Sequence, residues 1–256
     1  MPLTAHDWHR RFTLQSQWTR ETRKYLYHRA GTLKSKKILD VGCGTGALTD
    51  ELIDETASEY VGLDINQDFI QIAEAAIPSA SFLLADAHWI PFKSAWYDIC
   101  LCHYLLLWVE EPDRVIEEMR RVTKPGGAIL VLAEPDYGGR IDFPPELAIL
   151  NHWQTEALRS QEANPNIGRE LRSLLNRSGL SEIEVGVIGA QWRGVLSQDQ
   201  LDSEWEIIHA DLEHLVRTPE MDQTAKELRE KDFNAWGVGD RVLYVPTFYG
   251  WGKVVK

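Results

Sequence analysis

Short apolar runs bounded by glycine, aspartate and serine alternate along the chain with stretches whose apolar residues recur every three or four positions. The runs at 38–41, 60–63, 81–85, 97–101 and 127–133 have strand length, while 47–55, 67–76 and 113–122 carry the helical period. Strands and helices taking turns in this way predict an α/β fold, a doubly wound and mostly parallel sheet.

The flanking segments follow other patterns. Residues 4–33 are charged and aromatic, with Phe12, Trp18, Tyr25 and Leu26 spaced for one or two amphipathic cap helices. Beyond the fifth run, a turn-rich stretch at 134–145 leads to helical patterns at 146–161 and 167–177 and a strand at 183–192. Ser197 with Gln200 resembles a capping box. Leu201, Trp205, Ile208, Leu212 and Leu215 then line one helical face, and a second helix starts at Thr218 with Pro219 in its first position. Residues 241–255, RVLYVPTFYGWGKVV, return to strand composition. The expected organisation is one domain over 1–256: cap helices in 1–35, a core over 36–192, a helical insertion at 197–235 serving as a lid or dimer surface, and a last strand in 239–256.

Composition narrows the partners. The formal net charge of -12 argues against a nucleic-acid partner, whose phosphates are held by Lys and Arg. Of three cysteines, Cys100 and Cys102 flank Leu101 in an apolar run and are expected on opposite faces of a strand, so neither a disulfide framework nor a zinc site follows. The longest apolar stretch, 99–109, is interrupted by His103 and too short to span a bilayer, and the first residues lack a signal-peptide core. A cytoplasmic protein, monomer or homodimer, with no membrane partner is expected.

The chemistry concentrates where strands end. The first strand delivers Asp40 and the turn Gly42-Cys43-Gly44-Thr45-Gly46, which a ligand can approach closely because the glycines carry no Cβ. Gly42-x-Gly44-x-x-Ala47 also satisfies the tolerant dinucleotide fingerprint, which keeps an NAD-dependent oxidoreductase open as an alternative. Asp40 separates the two, since an acid there repels a pyrophosphate and attracts an ammonium group. The second strand ends at Asp64, suited to ribose hydroxyls, with Ile65 beside it, and the third ends at Asp86-Ala87, suited to an adenine amine and face. His88 and Trp89 either cover the adenine edge or fill the core.

With DVGCGTG, Asp64, Asp86-Ala87 and Lys124-Pro125-Gly126-Gly127 before the fifth strand, the chain resembles the class I S-adenosylmethionine-dependent methyltransferases. Within these it looks like the small-molecule branch related to ubiquinone and menaquinone methyltransferases, strongly over 36–133. The resemblance implies a Rossmann-like, seven-stranded sheet whose antiparallel last strand comes from 241–255. It also implies that Asp40, Gly42, Cys43, Gly44 and Gly46 hold the methionine part of the cofactor, Asp64 and Ile65 the ribose, Asp86 and Ala87 the adenine, and that His103 lies near the methyl group.

A sulfonium is already activated, so the enzyme mainly positions a nucleophile and excludes water. His103 is the candidate base, or only a cofactor contact, and Tyr137 the second catalytic candidate. Tyr104, Glu134, Tyr137 and Trp192 are candidates for binding the acceptor, expected to be a small molecule, aromatic or amine-bearing, with no metal involved. Arg23 either reaches the cofactor carboxylate or lies on a solvated face. A non-catalytic, cofactor-binding regulatory or assembly role is the remaining alternative.

Overall fold

A computed structural model describes residues 3–31, 35–56, 59–189, 198–216 and 218–255. Helix α1 (Ala5–Trp18) opens on a capping box in which Thr4 and Asp7 satisfy each other's backbone N–H, and α2 (Arg20–Ala30) follows after a single residue. The alternation then unfolds as β1 (Lys37–Val41), α3 (Thr49–Thr56), β2 (Glu59–Asp64), α4 (Gln67–Ala76), β3 (Ser81–Leu84), β4 (Tyr97–Cys102), α5 (Pro112–Val122) and β5 (Thr123–Pro135). Next come β6 (Ile141–Phe143), α6 (Ile149–Ser160), α7 (Ile167–Arg177), β7 (Ser181–Ile188), α8 (Gln198–Glu213), α9 (Pro219–Val238), β8 (Val242–Tyr244) and β9 (Thr247–Lys253).

Among the described residues, seven strands form one sheet in the order β3-β2-β1-β4-β5-β9-β7. β1 to β5 are parallel, whereas β9 enters between β5 and β7 antiparallel to both. Strand order reverses between β1 and β4, which places the ligand crevice above their carboxyl ends. The strands are apolar on both faces because helices cover both. Leu39, Val41, Cys100 and Cys102 share a layer with Val115, Ile116 and Met119 of α5 and Leu171 and Leu174 of α7. Ile38, Ile99 and Leu101 face Leu26 and Tyr27 of α2 and Leu52 of α3. Each such aliphatic side chain, once fully buried, contributes roughly 1.5–3 kcal/mol.

Four expectations change. Cys100 and Cys102 lie in the same core layer, since side chains two apart on a strand share a face. β5 begins at Thr123 rather than at 127; at Gly127 the chains approach so closely that a Cβ would lie 2.5 Å from the Asp98 carbonyl oxygen. Residues 241–255 form two strands instead of one, broken at Pro246, which has no N–H for a ladder and whose carbonyl accepts from Asp136 N at 2.8 Å. β8 pairs with β6 in a separate ribbon. The seventh strand is thus β9, antiparallel as the resemblance implied. β7 ends at Ile188, and the capping box at Ser197 and the candidate Trp192 lie outside the described residues.

The helices between β7 and β9 have a core of their own. Trp205, Ile208 and Leu212 of α8 and Ala225 and Leu228 of α9 close on Leu147, Leu150 and Trp153. Thr218 caps α9 by accepting from Met221 N. This second core packs the insertion onto the segment that follows β5.

Candidate active site

Gly42, Gly44 and Gly46 all have positive φ, +72°, +55° and +79°, so the turn after β1 is closed to other residues on backbone grounds alone. Neighbouring side chains add to this. A Cβ on Gly42 would sit 2.7 Å from Leu105 Cδ1, and one on Gly44 3.3 Å from the Phe12 ring. Phe12 belongs to α1, which lies over the turn: His9 Nδ1 is 2.8 Å from Thr45 Oγ1, and Phe12 meets Phe69 of α4 edge-on. The N-terminal helix therefore covers the crevice at the end of β1.

The acids on the strand ends differ in setting. Asp64 accepts from Gly44 N at 2.8 Å and from Asn66 N at 2.9 Å, which fuses the glycine turn and the end of β2 into one unit. Burial raises its pKa although backbone N–H groups oppose the shift. Ile65, next to it, is 72% exposed. Asp86 accepts from His88 N and His88 Nδ1 at 2.8 and 2.7 Å. Burial would raise its pKa, but these bonds outweigh it and hold the carboxyl below its usual range. His88 thus positions Asp86, and Trp89, 69% exposed, does not fill the core; Ala87 is buried.

Asp40 is wholly enclosed. Its Oδ2 accepts from Tyr60 Oη at 2.9 Å, while Oδ1 is buried with no hydrogen-bond partner among the described residues. Burial drives its pKa to about 7, with the Tyr60 bond opposing and Asp64 adding to the rise. An orphaned carboxylate oxygen beside a glycine turn fits a ligand that brings positive charge and hydrogen-bond donors.

Across the switch point, His103 follows β4. Its Nε2 lies 3.0 Å from Thr19 Oγ1, and Thr19 accepts from Arg23, whose guanidinium forms a bidentate pair with Glu51. Arg23 is 1% exposed, so neither expectation for it holds: it is committed to Glu51, Ser16 and Thr19. Burial, with a contribution from Arg23, depresses the His103 pKa to about 3. Burial thus favours the neutral ring, in keeping with the second of its two expected roles, a contact to the cofactor. It remains a hydrogen-bonding group at the crevice.

Tyr104 adopts φ +52°, a left-handed conformation rare for a tyrosine, fixed by the bond from its N–H to Ala133 O. The turn that follows is capped by Glu134, which accepts from the N–H groups of Leu105, Leu106 and Leu107 at 3.0, 2.8 and 3.2 Å. Fully buried, with its pKa pushed up to about 8, Glu134 holds the ends of β4 and β5 together. This corrects the expectation that it touches the acceptor. Asp136 is likewise structural, in a bidentate pair with Arg169. His103, Tyr104 and Tyr137 are each partly buried at the carboxyl edge of the sheet. Burial raises both tyrosine hydroxyls, Tyr137 to about 12.

Sequence reasoning missed a network of polar contacts that joins α1, α6, α8 and α9 to the segment after β5. Arg11 of α1 meets Glu204 of α8 at 2.6 Å, and Arg140 forms a bidentate pair with Asp142 and donates to Gln154 of α6. Gln154 donates to Asp211 of α8 at 3.0 Å. Arg241 joins Asp142 to Asp232, which also accepts from Trp205 Nε1. Only the apolar stripe of α8 was read from sequence; the acids Glu204 and Asp211, two turns apart on a neighbouring face, were the available signal. Among the described residues, no group of His, Cys, Asp and Glu is placed to hold a metal ion, and no helix is long and apolar enough to cross a membrane.

Residues 39–131 match the family described as methyltransferase domain. A demethylmenaquinone methyltransferase of Renibacterium salmoninarum is 30% identical over 47% of this chain and 51% of its own length. The chain thus spans about half the length of the curated relatives it matches. Among solved structures, the Haloferax volcanii complex of the Trm112 methyltransferase activator with a methyltransferase aligns with a TM-score of 0.64 at 20% identity, over 97% of this chain and 95% of that one. Phosphoethanolamine N-methyltransferase 2 of Haemonchus contortus, solved with phosphomonomethylethanolamine and S-adenosylhomocysteine, aligns at 0.60 and 14% identity over 93% and 53%. At these identities the two structures speak for the fold alone.

Proposed function

From the premise that residues 39–131 form a class I methyltransferase domain resembling the ubiquinone and menaquinone enzymes, with S-adenosylmethionine as cofactor, we propose that this protein methylates a small molecule in the cytoplasm. The observation that carries the reading is the single unit made by the glycine turn and the acids ending β1 and β2, with an unsatisfied Asp40 oxygen beneath the turn.

Bound there, the cofactor supplies a methyl group on an activated sulfonium. Asp40 faces the ammonium of the methionine part, against the positive-φ turn of Gly42, Cys43, Gly44 and Gly46. Asp64 keeps acceptor capacity for the ribose hydroxyls, with Ile65 against the sugar and base, and Asp86 and Ala87 take the adenine. Helix α1, through His9 and Phe12, shields the turn from water. His103 acts as a neutral hydrogen-bonding group beside the reacting atoms, and Tyr104 and Tyr137 line the acceptor side, with Tyr137 keeping its hydroxyl proton at neutral pH. The dinucleotide alternative has little support, since a pyrophosphate at this turn would stand against buried Asp40.

Two measurements test the reading. Calorimetry should give S-adenosylhomocysteine binding and none with NAD, and mass spectrometry should detect S-adenosylhomocysteine formation with at least one member of a broad small-molecule panel. NAD binding in its place would overturn the cofactor assignment, and silence across the panel despite cofactor binding would leave a regulatory cofactor-binding protein.

A further inference from the structure

A chain of buried polar contacts ends on His103 and decides which of its nitrogens carries the proton. The partly buried ring follows β4, at the switch point, and the Tyr104 ring meets it edge-on with centroids 4.6 Å apart. Its Nε2 lies 3.0 Å from Oγ1 of Thr19, the residue that joins α1 to α2. Thr19 is 2% exposed and Arg23 1%, and both carboxylate oxygens of Glu51 on α3 hold the Arg23 guanidinium in place.

The protons along this chain can be counted. A guanidinium only donates, so Thr19 Oγ1 accepts from Arg23. The hydroxyl then has one proton and two places for it: His103 Nε2 at 3.0 Å, or the Ser16 carbonyl at 3.4 Å, which already accepts from Arg23. Nε2 is the nearer and the unclaimed one. The reverse arrangement, with Nε2–H donating to Oγ1, would aim two N–H groups at one hydroxyl, set the imidazole proton beside the guanidinium and leave the hydroxyl proton to the farther carbonyl. An accepting nitrogen carries no proton, and burial with the Arg23 charge favours the neutral ring, so its one N–H is at Nδ1. Among the described residues Nδ1 has no hydrogen-bond partner.

Resting on the methyl-transfer reading above, we propose that Arg23, acting through Thr19, holds His103 in its Nδ1–H form, so that the ring meets its ligand as a hydrogen-bond donor and takes no proton from it. Arg23 and Thr19 are then positioning residues for the end of β4. The tautomer also decides between the two roles expected of His103: a nitrogen that already carries a proton is a contact and not a base. The ligand atom that completes this N–H brings a lone pair, as a carboxylate, hydroxyl or carbonyl oxygen does. The buried Arg23–Glu51 pair gains a purpose beyond packing α2 on α3, since it fixes the guanidinium that turns the Thr19 hydroxyl toward the ring.

The test reads the tautomer directly. Long-range proton–nitrogen correlation spectra of the full chain, labelled with nitrogen-15 histidine, distinguish Nδ1–H from Nε2–H, and the His103 signals are those lost in His103→Gln or, if that variant does not fold, those linked to its backbone resonances. Wild-type His103 should show a protonated Nδ1 and a bare Nε2, and saturation with S-adenosylhomocysteine should leave the proton where it is. Thr19→Val should shift the ratio of the two neutral forms at least about fivefold toward Nε2–H, the scale of one hydrogen bond. Thr19→Ser, which restores the hydroxyl, should stay within about twofold of wild type. A wild-type ring protonated at Nε2 or at both nitrogens, a proton that moves to Nε2 when S-adenosylhomocysteine binds, or an unchanged ratio in Thr19→Val would each overturn the proposal. The first two outcomes need no variant at Thr19, so a misfolded Thr19→Val protein leaves the test intact. Failure to bind S-adenosylhomocysteine at all would instead sink the methyltransferase reading, and the ligand-free spectra would still report the tautomer.

Discussion

The crevice has two sides built on opposite principles. On the cofactor side, backbone does most of the recognition: a turn of three left-handed glycines, tied to β2 through Gly44 N and Asp64, with one acid at the end of each of β1 and β2 and another just beyond β3. On the other side, side chains from α1, α8, α9 and the segments after β5 and before β8 meet in a web of largely buried ion pairs. The first design fixes one ligand geometry through local sequence. The second can be re-specified residue by residue, which suits a scaffold whose cofactor stays constant while the acceptor varies.

Breaking the web should cost the most. Asp142 is 1% exposed and bridges Arg140 and Arg241, so Asp142→Ala leaves the enclosed Arg140 guanidinium without a carboxylate and Arg241 with Asp232 alone, and should lower unfolding free energy by about 3–5 kcal/mol in urea titrations. A loss under about 1 kcal/mol would mean that these charges are solvated. Next comes Gly42→Val, strained at φ +72° and driven into Leu105, which should weaken S-adenosylhomocysteine binding by about 100-fold or more in calorimetry. Unchanged affinity would show that the turn is no ligand surface. Asp64→Ala should weaken the same binding by roughly 1–3 kcal/mol, the cost of unsatisfied polar partners, and an unchanged dissociation constant would refute the ribose assignment.

The smallest effect is a slope. Asp40 has its folded pKa raised to about 7, so between its unfolded value and 7 the native state binds more protons than the unfolded state. Its contribution therefore erodes stability as pH rises across that window. Thermal melts of ligand-free Asp40→Asn should show a shallower decline between about pH 4 and pH 7 than wild type. Identical slopes would mean that Asp40 is ionised in the folded protein throughout.

The same contrast explains what the sequence revealed. Residues 38–133 announce themselves because every cue is local: apolar runs of strand length, glycines where φ turns positive, acids at run ends. Helices α4 and α7 match their periodic patterns residue for residue. Much of the ion-pair web hides because its linking pairs are far apart in the chain, Arg11 and Glu204 by 193 positions, Arg241 and Asp142 by 99, although Arg140 and Asp142 are near neighbours. No window along the sequence contains both members of either distant pair. Glu134 misled for the same reason: it stands at the carboxyl edge as expected, but three N–H groups from the turn after β4 had already claimed it.

The position of β9 carries a last consequence, for biosynthesis. The strand that separates β5 from β7 is the latest of the seven in sequence, so as the chain leaves the ribosome β5 exists for more than a hundred residues with one edge unpaired. That edge belongs to the longest strand of the sheet, buried from Ala128 to Pro135, and unpaired apolar edges invite association with other chains. The sheet closes only when residues 247–253 emerge, which makes this short segment, remote from the cofactor in sequence, the step that ends the nascent chain's exposure to aggregation.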